Sequence, residues 1–485
     1  MRDMVLILNF DDISSRAIAR ALRAERVYCK IMPGGVTREE VARQEPLGLI
    51  LAGGVSGSVS GALDGQLADG TWPILAMGDT AALLCRALGG DALETAICNR
   101  IGTVSFARSP VTEGMEDCER MLHSVRRLRL PECASPLAES EGETVGFMHS
   151  VLPIYGLQFT LESNDTDGMQ LLLGFALRVC GCSRWWDAEA FVSRAVEEIR
   201  RVVGDGRAIC TMTGGLNSGV SAMLAHQALG DRLQCIFVDT GLMRENEGAR
   251  FLAFYRDRMG LNIEHVQAQD QFIGALKGVA DPAEKRRIIG GVLQRILGET
   301  MERLGSFSVI IRSRTCTDIM NGVDDRSWPG LQADLPNVEP LRELFKDEVR
   351  HIGEYMEMPS EVISRQPFPG SGLALRILGE VTPARLQTLR AADQIFAQEV
   401  AASGQAKRLW QHFAVLSAMP EDDTHAVIAL RAVQASDSAQ QAYAARLPYD
   451  LLERVCERIL RERPEIVRVV YDLSPSSRYG GVEWQ

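Results

Sequence analysis

The chain has 485 residues, 46% of them apolar and 24% charged, and a formal net charge of −12. That length exceeds one hydrophobic core, so two to four domains are expected. The acidic balance excludes an ordinary nucleic-acid-binding surface, and no apolar run reaches the roughly 18 residues that a membrane span needs, so a cytoplasmic small-molecule protein is expected.

From residue 1 to about 185 strand and helix signals alternate. Val5–Phe10 reads as a buried strand; the run from Met1 meets Asp11-Asp12 too soon to be a secretory leader. Ser14–Glu25 reads as a helix, Leu47–Leu51 as a strand running into Gly53-Gly54, and Trp72–Met77 as a strand. Thr80–Leu88 is an expected helix stopped by Gly89-Gly90, and Tyr155–Phe159 a late strand. Residues 126–143, rich in charge, Pro and Ser, read as a surface excursion. The helix Ala188–Val203 then leads into a second α/β region. Past residue 370 a helix is expected over Pro383–Ser403 and strands over Val427–Val433 and Val467–Tyr471. The 11 cysteines and seven histidines show no zinc spacing, which predicts reduced, mostly buried thiols and no structural metal.

The most informative stretch is Ala208–Ala222. An apolar strand enters Thr213-Gly214-Gly215-Leu216-Asn217-Ser218, a helix is expected over Val220–Leu229, and a second strand, Gln234–Asp239, follows. Glycines let backbone approach a ligand, and helix-start amides favour phosphate, so the turn reads as a phosphate cradle. No Gly-Lys-Ser/Thr follows at Walker A spacing.

This loop resembles the Ser-Gly-Gly-x-Asp-Ser loop of N-type ATP pyrophosphatases. Val338–Arg350, Arg365–Leu373, Phe237–Gly248, Asp281–Gly290, Leu447–Asp450 and the closing Glu483-Trp484 resemble segments of the GMP synthase family. The likeness runs the whole chain in the family's order. It implies an α/β fold: a class I glutamine amidotransferase-like domain over 1–185 and an ATP pyrophosphatase domain over 186–370, both mainly parallel. A small α+β dimerisation domain over 371–485 would follow. It implies that ATP adenylates the C2 oxygen of xanthosine monophosphate (XMP), that pyrophosphate leaves on Mg²⁺, and that ammonia displaces AMP to give GMP. By the same resemblance Thr213–Ser218 would hold pyrophosphate and Asp239 and Gly241 would line the adenine pocket. Arg376 and the C-terminal tail would approach the nucleotide monophosphate, and the C-terminal domain would form a homodimer.

The departures are specific. The family's Gly-x-Cys-x-Gly is Ala76-Met77-Gly78-Asp79-Thr80 here, and its Phe-His-Pro-Glu is Phe159-Thr160-Leu161-Glu162. Nucleophile and base are both replaced and Glu162 has nothing to orient, so no glutamine hydrolysis is expected. Cys85 sits too far along the helix to substitute, and His149 reads as structural. Asn217 replaces the phosphate-loop Asp. Arg312–Asp318 keeps only Asp318 of the family's substrate loop, and the lysine-rich lid is shortened to Asp324–Gln332. Arg312, Arg314 and Arg326 could restore some positive charge or lie on a solvated surface. Arg478 stands near a lost lysine. Three readings remain open: a ligase fed by free ammonia or a separate glutaminase; a regulatory paralogue pairing with an active GMP synthase; and a ligase with a changed acceptor.

Overall fold

The computed structural model describes residues 3–54, 62–93, 100–122, 126–160, 165–320, 335–363, 366, 368, 370–419, 422–435 and 442–474. The chain divides into two compact units, Met1–Phe191 and Val192–Gln485, with the boundary inside the helix Ala188–Val203.

In the first unit five strands run parallel in the spatial order Cys29–Pro33, Val5–Asn9, Gly48–Ala52, Ile74–Met77, Ile154–Leu157. Val5–Leu8, Leu49–Ala52 and Ile74–Met77 are fully buried. Such continuous apolar runs are what a parallel sheet covered on both faces requires. The sheet continues antiparallel through Glu143–His149, Ala134–Ser140, Arg100–Phe106 and Cys118–Leu122. Residues 126–143 are therefore not a surface excursion. Ala134–Ser140 pairs on both sides, and its ladder satisfies a backbone whose side chains, Pro136 and Glu139 among them, give little strand signal. Asp11 caps the helix Asp12–Ala24, accepting from the Ser14 amide at 2.8 Å.

The second unit carries a parallel sheet in the order Ile263–Gln267, Leu233–Asp239, Ala208–Met212, Val309–Ile311, Asn337–Val338. Strand order reverses between Ala208–Met212 and Val309–Ile311, and open α/β sheets bind ligands beyond the strand ends at such a reversal. A second sheet follows. Ile377–Leu378, Gln411–Met419, Asp422–Ala435 and Ala442–Ala444 lie side by side, and Ile466–Tyr471 runs parallel to Asp422–Ala435. The helices Pro383–Ala402 and Tyr449–Glu462 pack on it. One apolar core runs from Ile209 and Ile236 through Phe272 and Ile289 to Leu389, Phe396, Leu416 and Ile459, so both sheets of this unit share an interior.

Candidate functional sites at two glycine turns

In the first unit the strand Ile74–Met77 ends on Gly78, at φ +66°, and the helix Thr80–Ala87 begins. The Gly78 amide donates to Leu157 O at 2.9 Å and Phe159 O at 3.1 Å. A Cβ built on Gly78 would lie 2.9 Å from Thr160 Cγ2, 2.7 Å from Gly53 O and 3.0 Å from Gly54 O. Positions 78 and 160 are thus neighbours, as a nucleophile and its base would be, but they carry a hydrogen and a hydroxyl. The Asp79 amide donates to Gly54 O at 3.3 Å. The Asp79 carboxylate is buried and stands 3.7 Å from Arg126 Nη1.

His149 and Cys85 are both engaged by local backbone. His149 Nδ1 accepts from the Val151 and Leu152 amides at 3.1 and 3.0 Å. The Cys85 thiol points at Asp91 O and Arg129 O, 3.7 and 3.8 Å away, and burial pushes its pKa up. Glu162 lies outside the described residues.

In the second unit the strand Ala208–Met212 ends on Thr213. Gly214 takes φ +77°, Gly215 is extended, and the helix runs over Leu216–Leu229. It begins four residues before the expected Val220. The glycine pair reads as a break in the sequence, yet Gly214 makes the turn and Gly215 serves as the helix cap. Leu216, Asn217 and Ser218 therefore form the first helical turn. Ser218 Oγ accepts from the Thr213 amide at 3.2 Å, donates to Gly215 O at 3.0 Å, and stands 3.2 Å from Thr213 Oγ1. Among the described residues no side chain caps this helix start. The donor set fits a polyphosphate: first-turn amides, the helix dipole, two hydroxyls and glycine backbone. Toward Mg²⁺ the loop offers only the neutral oxygens of Thr213, Asn217 and Ser218.

At the next strand end, Asp239 Oδ1 accepts from the Gly241 amide at 2.9 Å and Oδ2 from Gln269 Nε2 at 2.9 Å. Gly241 has φ +69°, and a Cβ there would meet Gln269 Cβ at 2.8 Å. At the end of Val309–Ile311, Asp318 Oδ2 accepts from the Thr315 amide at 2.8 Å and Thr315 Oγ1 at 2.7 Å, which is a helix-capping geometry for Cys316–Met320. Arg314 bonds Glu339, with Nε at 2.7 Å from Oε1. Residues Thr213–Ser218, Asp239 and Asp318 therefore share the carboxyl-terminal edge of one sheet. The Asp324–Gln332 lid with Arg326, and the tail with Arg478, lie outside the described residues.

Arg376, expected to approach the nucleotide monophosphate, is buried. Its side chain is 2% exposed, 3.8 Å from Asp393 Oδ1, with its guanidinium 4.2 Å from the Phe413 ring centre and 5.1 Å from that of Phe368. Sequence reading missed the residues around it. Arg244 Nε lies 3.0 Å from Asp393 Oδ2. His412 Nδ1 lies 2.6 Å from Gln366 Nε2, and burial holds the imidazole pKa down at about 4. Lys285 Nζ donates to Ile377 O at 2.7 Å and Ala374 O at 3.2 Å; burial lowers its pKa to about 8. Charged residues at buried helix positions, such as Asp393, were the available signal.

The chain is similar to known proteins over its whole length. The family model for glutamine amidotransferase class-I matches residues 6–178, and that for the GMP synthase C terminal domain matches 398–484. A GMP synthase [glutamine-hydrolyzing] of Symbiobacterium thermophilum is 36% identical, covering 100% of this chain and 99% of its own. Proteins of the same name are 35% identical from Clostridium acetobutylicum, covering 100% of both chains, and 36% from Gloeobacter violaceus, covering 100% and 94%.

Proposed function

The chain belongs to the GMP synthase family, and on that premise we propose that it makes GMP from XMP, ATP and ammonia without releasing the ammonia from glutamine itself. The XMP C2 oxygen attacks the α-phosphorus of ATP and pyrophosphate leaves. Ammonia adds at C2, AMP departs with that oxygen, and two protons are lost to solvent. Thr213, Gly214, Gly215, Leu216, Asn217 and Ser218 hold the pyrophosphate by amides and hydroxyls. Asp239 and Gly241 line the adenine side. Mg²⁺, when bound, supplies charge neutralisation of the leaving pyrophosphate.

One observation carries the proposal. The relatives are named glutamine-hydrolysing, whereas here the neighbouring positions 78 and 160 are glycine and threonine. Glycine has no nucleophile, and a threonine hydroxyl is no base near neutral pH. Nitrogen then comes as free ammonia or from a separate glutaminase. The chain acts as a cytoplasmic homodimer through its C-terminal region, within the expected three-domain plan.

A second reading is a regulatory nucleotide-binding paralogue. The ties of Arg314 to Glu339 and of Asp318 to Thr315 favour it, because they commit two substrate-loop residues to structure. The test is incubation with ATP, Mg²⁺ and XMP, plus ammonium or glutamine. GMP with ammonium alone is the expected result. GMP with glutamine alone overturns the proposal, and nucleotide binding without turnover by either supports the second reading.

A further inference from the structure

The segment after Asp239 is held in place from the C-terminal part of its own unit. The helix Pro383–Ala402 starts on a Thr382 cap, whose hydroxyl accepts from the Arg385 amide at 3.2 Å. Arg390 and Asp393, three residues apart, share one of its faces. Arg390 Nε donates to Met243 O at 2.8 Å, and Nη2 donates to Gly241 O. The carbonyl between them, Leu242 O, accepts from the Leu373 amide at 2.7 Å. Three consecutive carbonyls of the loop thus take donors from residues 373 and 390. Asp393 completes the clamp: Oδ2 lies 3.0 Å from Arg244 Nε, and Oδ1 accepts from the Ala414 amide at 3.0 Å.

From this geometry we infer that Arg390 and Asp393 are positioning residues for the adenine nucleotide, acting through the backbone of Asp239–Arg244. The inference rests on the proposed ATP site. The guanidinium bridges carbonyls two residues apart, a span that a lysine ammonium covers only one acceptor at a time. The loop contains Gly241 at φ +69° and so has little conformational preference of its own. Fixing it beforehand spares the nucleotide the ordering cost on binding.

The experiment uses the full chain and MgATP, with calorimetry for affinity and hydrogen exchange for amides 240–244. Arg390→Ala weakens MgATP binding about tenfold and speeds exchange in the loop, the scale expected for coupling through an intermediary. Arg390→Lys recovers part of both. Thr388→Val removes from the same helix a hydroxyl that donates to Glu465 Oε1 at 2.7 Å and accepts from Arg463 Nη2 at 3.2 Å, without touching the loop. It leaves ATP affinity unchanged even where it lowers the melting temperature, which separates positioning from general stability. Wild-type ATP affinity in Arg390→Ala, or unchanged loop exchange, overturns the inference. If the native chain binds no MgATP, the ATP-site reading falls by itself, and the inference of positioning for a nucleotide falls with it.

Discussion

At Gly78 and at Gly214-Gly215 the chain makes the same local move: a buried parallel strand, a glycine at positive φ, then a helix. The two turns differ in what surrounds the glycine. At Gly78 the turn has closed on itself. Its amide is shared between Leu157 O and Phe159 O, the Asp79 amide returns to Gly54 O, and backbone oxygens crowd the place where a side chain would begin. At Gly214-Gly215 the helix start carries no side-chain cap among the described residues, and both hydroxyls of the turn face each other across the loop. Burial of strands such as Ile74–Met77 maintains a fold whether or not its turn can do chemistry, because apolar area and not the turn supplies most of the stability.

The largest effect that could break this contrast is restored glutaminase activity. Gly78→Cys with Thr160→His returns the two missing side chains, but a Cβ at 78 would sit 2.7 Å from Gly53 O, which is backbone and cannot swing aside. Glutamate release from glutamine is expected to stay at background, on the order of 10⁴-fold or more below what a working triad delivers, while ammonium-driven GMP synthesis is unchanged. Recovery of glutamine-driven turnover in the double variant would show the seat to be merely vacant. The next effect concerns the second unit's buried charges. His412 is held at about 4, against an ordinary value of 6.5, by burial and then by Arg244 and Arg376, while Asp393 pulls the other way. The folded-state value is depressed, so between pH 6.5 and 4 the unfolded chain binds the extra proton. Stability from this group is complete above about pH 6.5 and is lost as pH falls toward 4, by about 3 kcal/mol. Urea unfolding across that window should show the slope in wild type and a flatter curve in His412→Gln. Equal slopes would remove His412 from the account.

How much of this was legible in the sequence depends on whether the signal was local. The turn at Gly78 was legible because it ends a strand, Ile74–Met77, whose apolar run is unmistakable, and Thr160 because it follows the apolar strand Ile154–Leu157. The strand, glycine turn and helix around Thr213–Ser218 were legible for the same reason, though the helix start was not, since a glycine pair looks alike whether it breaks a helix or caps one. Ala134–Ser140 was illegible because a strand paired on both sides needs little from its side chains. Arg390 and Asp393 were illegible as a clamp because their partners lie about 150 residues away in the chain, and a charged pair on a helix reads by default as a solvated face. Arg376 was expected to meet nucleotide, and its burial between Phe368 and Phe413 depends on contacts that no local pattern encodes.

A smaller effect sharpens the second turn. Asn217→Asp returns a carboxylate to the first helical turn at the loop where pyrophosphate is proposed to sit. A charge-assisted contact is worth about 1.5–3 kcal/mol, so initial rates of ammonium-driven GMP formation at subsaturating MgATP should rise about 10- to 150-fold. An unchanged rate would mean that Asn217 does not face the metal–phosphate complex.

The smallest effect decides what Asp318 is for. It is the one residue of its loop that keeps the family's identity, which argues for chemistry, yet its carboxylate accepts from the Thr315 amide and hydroxyl at 2.8 and 2.7 Å, which argues for a cap. Asp318→Asn retains one acceptor oxygen and loses the charge. A cap alone predicts a loss of about 1 kcal/mol in unfolding free energy and a rate within about threefold of wild type, the factor that a change of well under 1 kcal/mol produces. A rate loss of about 100-fold with stability intact would instead need some 2.7 kcal/mol of transition-state interaction, far more than a cap can lend. It would move Asp318 from the scaffold to the reaction and make the sheet edge of the second unit a catalytic site in a chain whose first unit is proposed to have none.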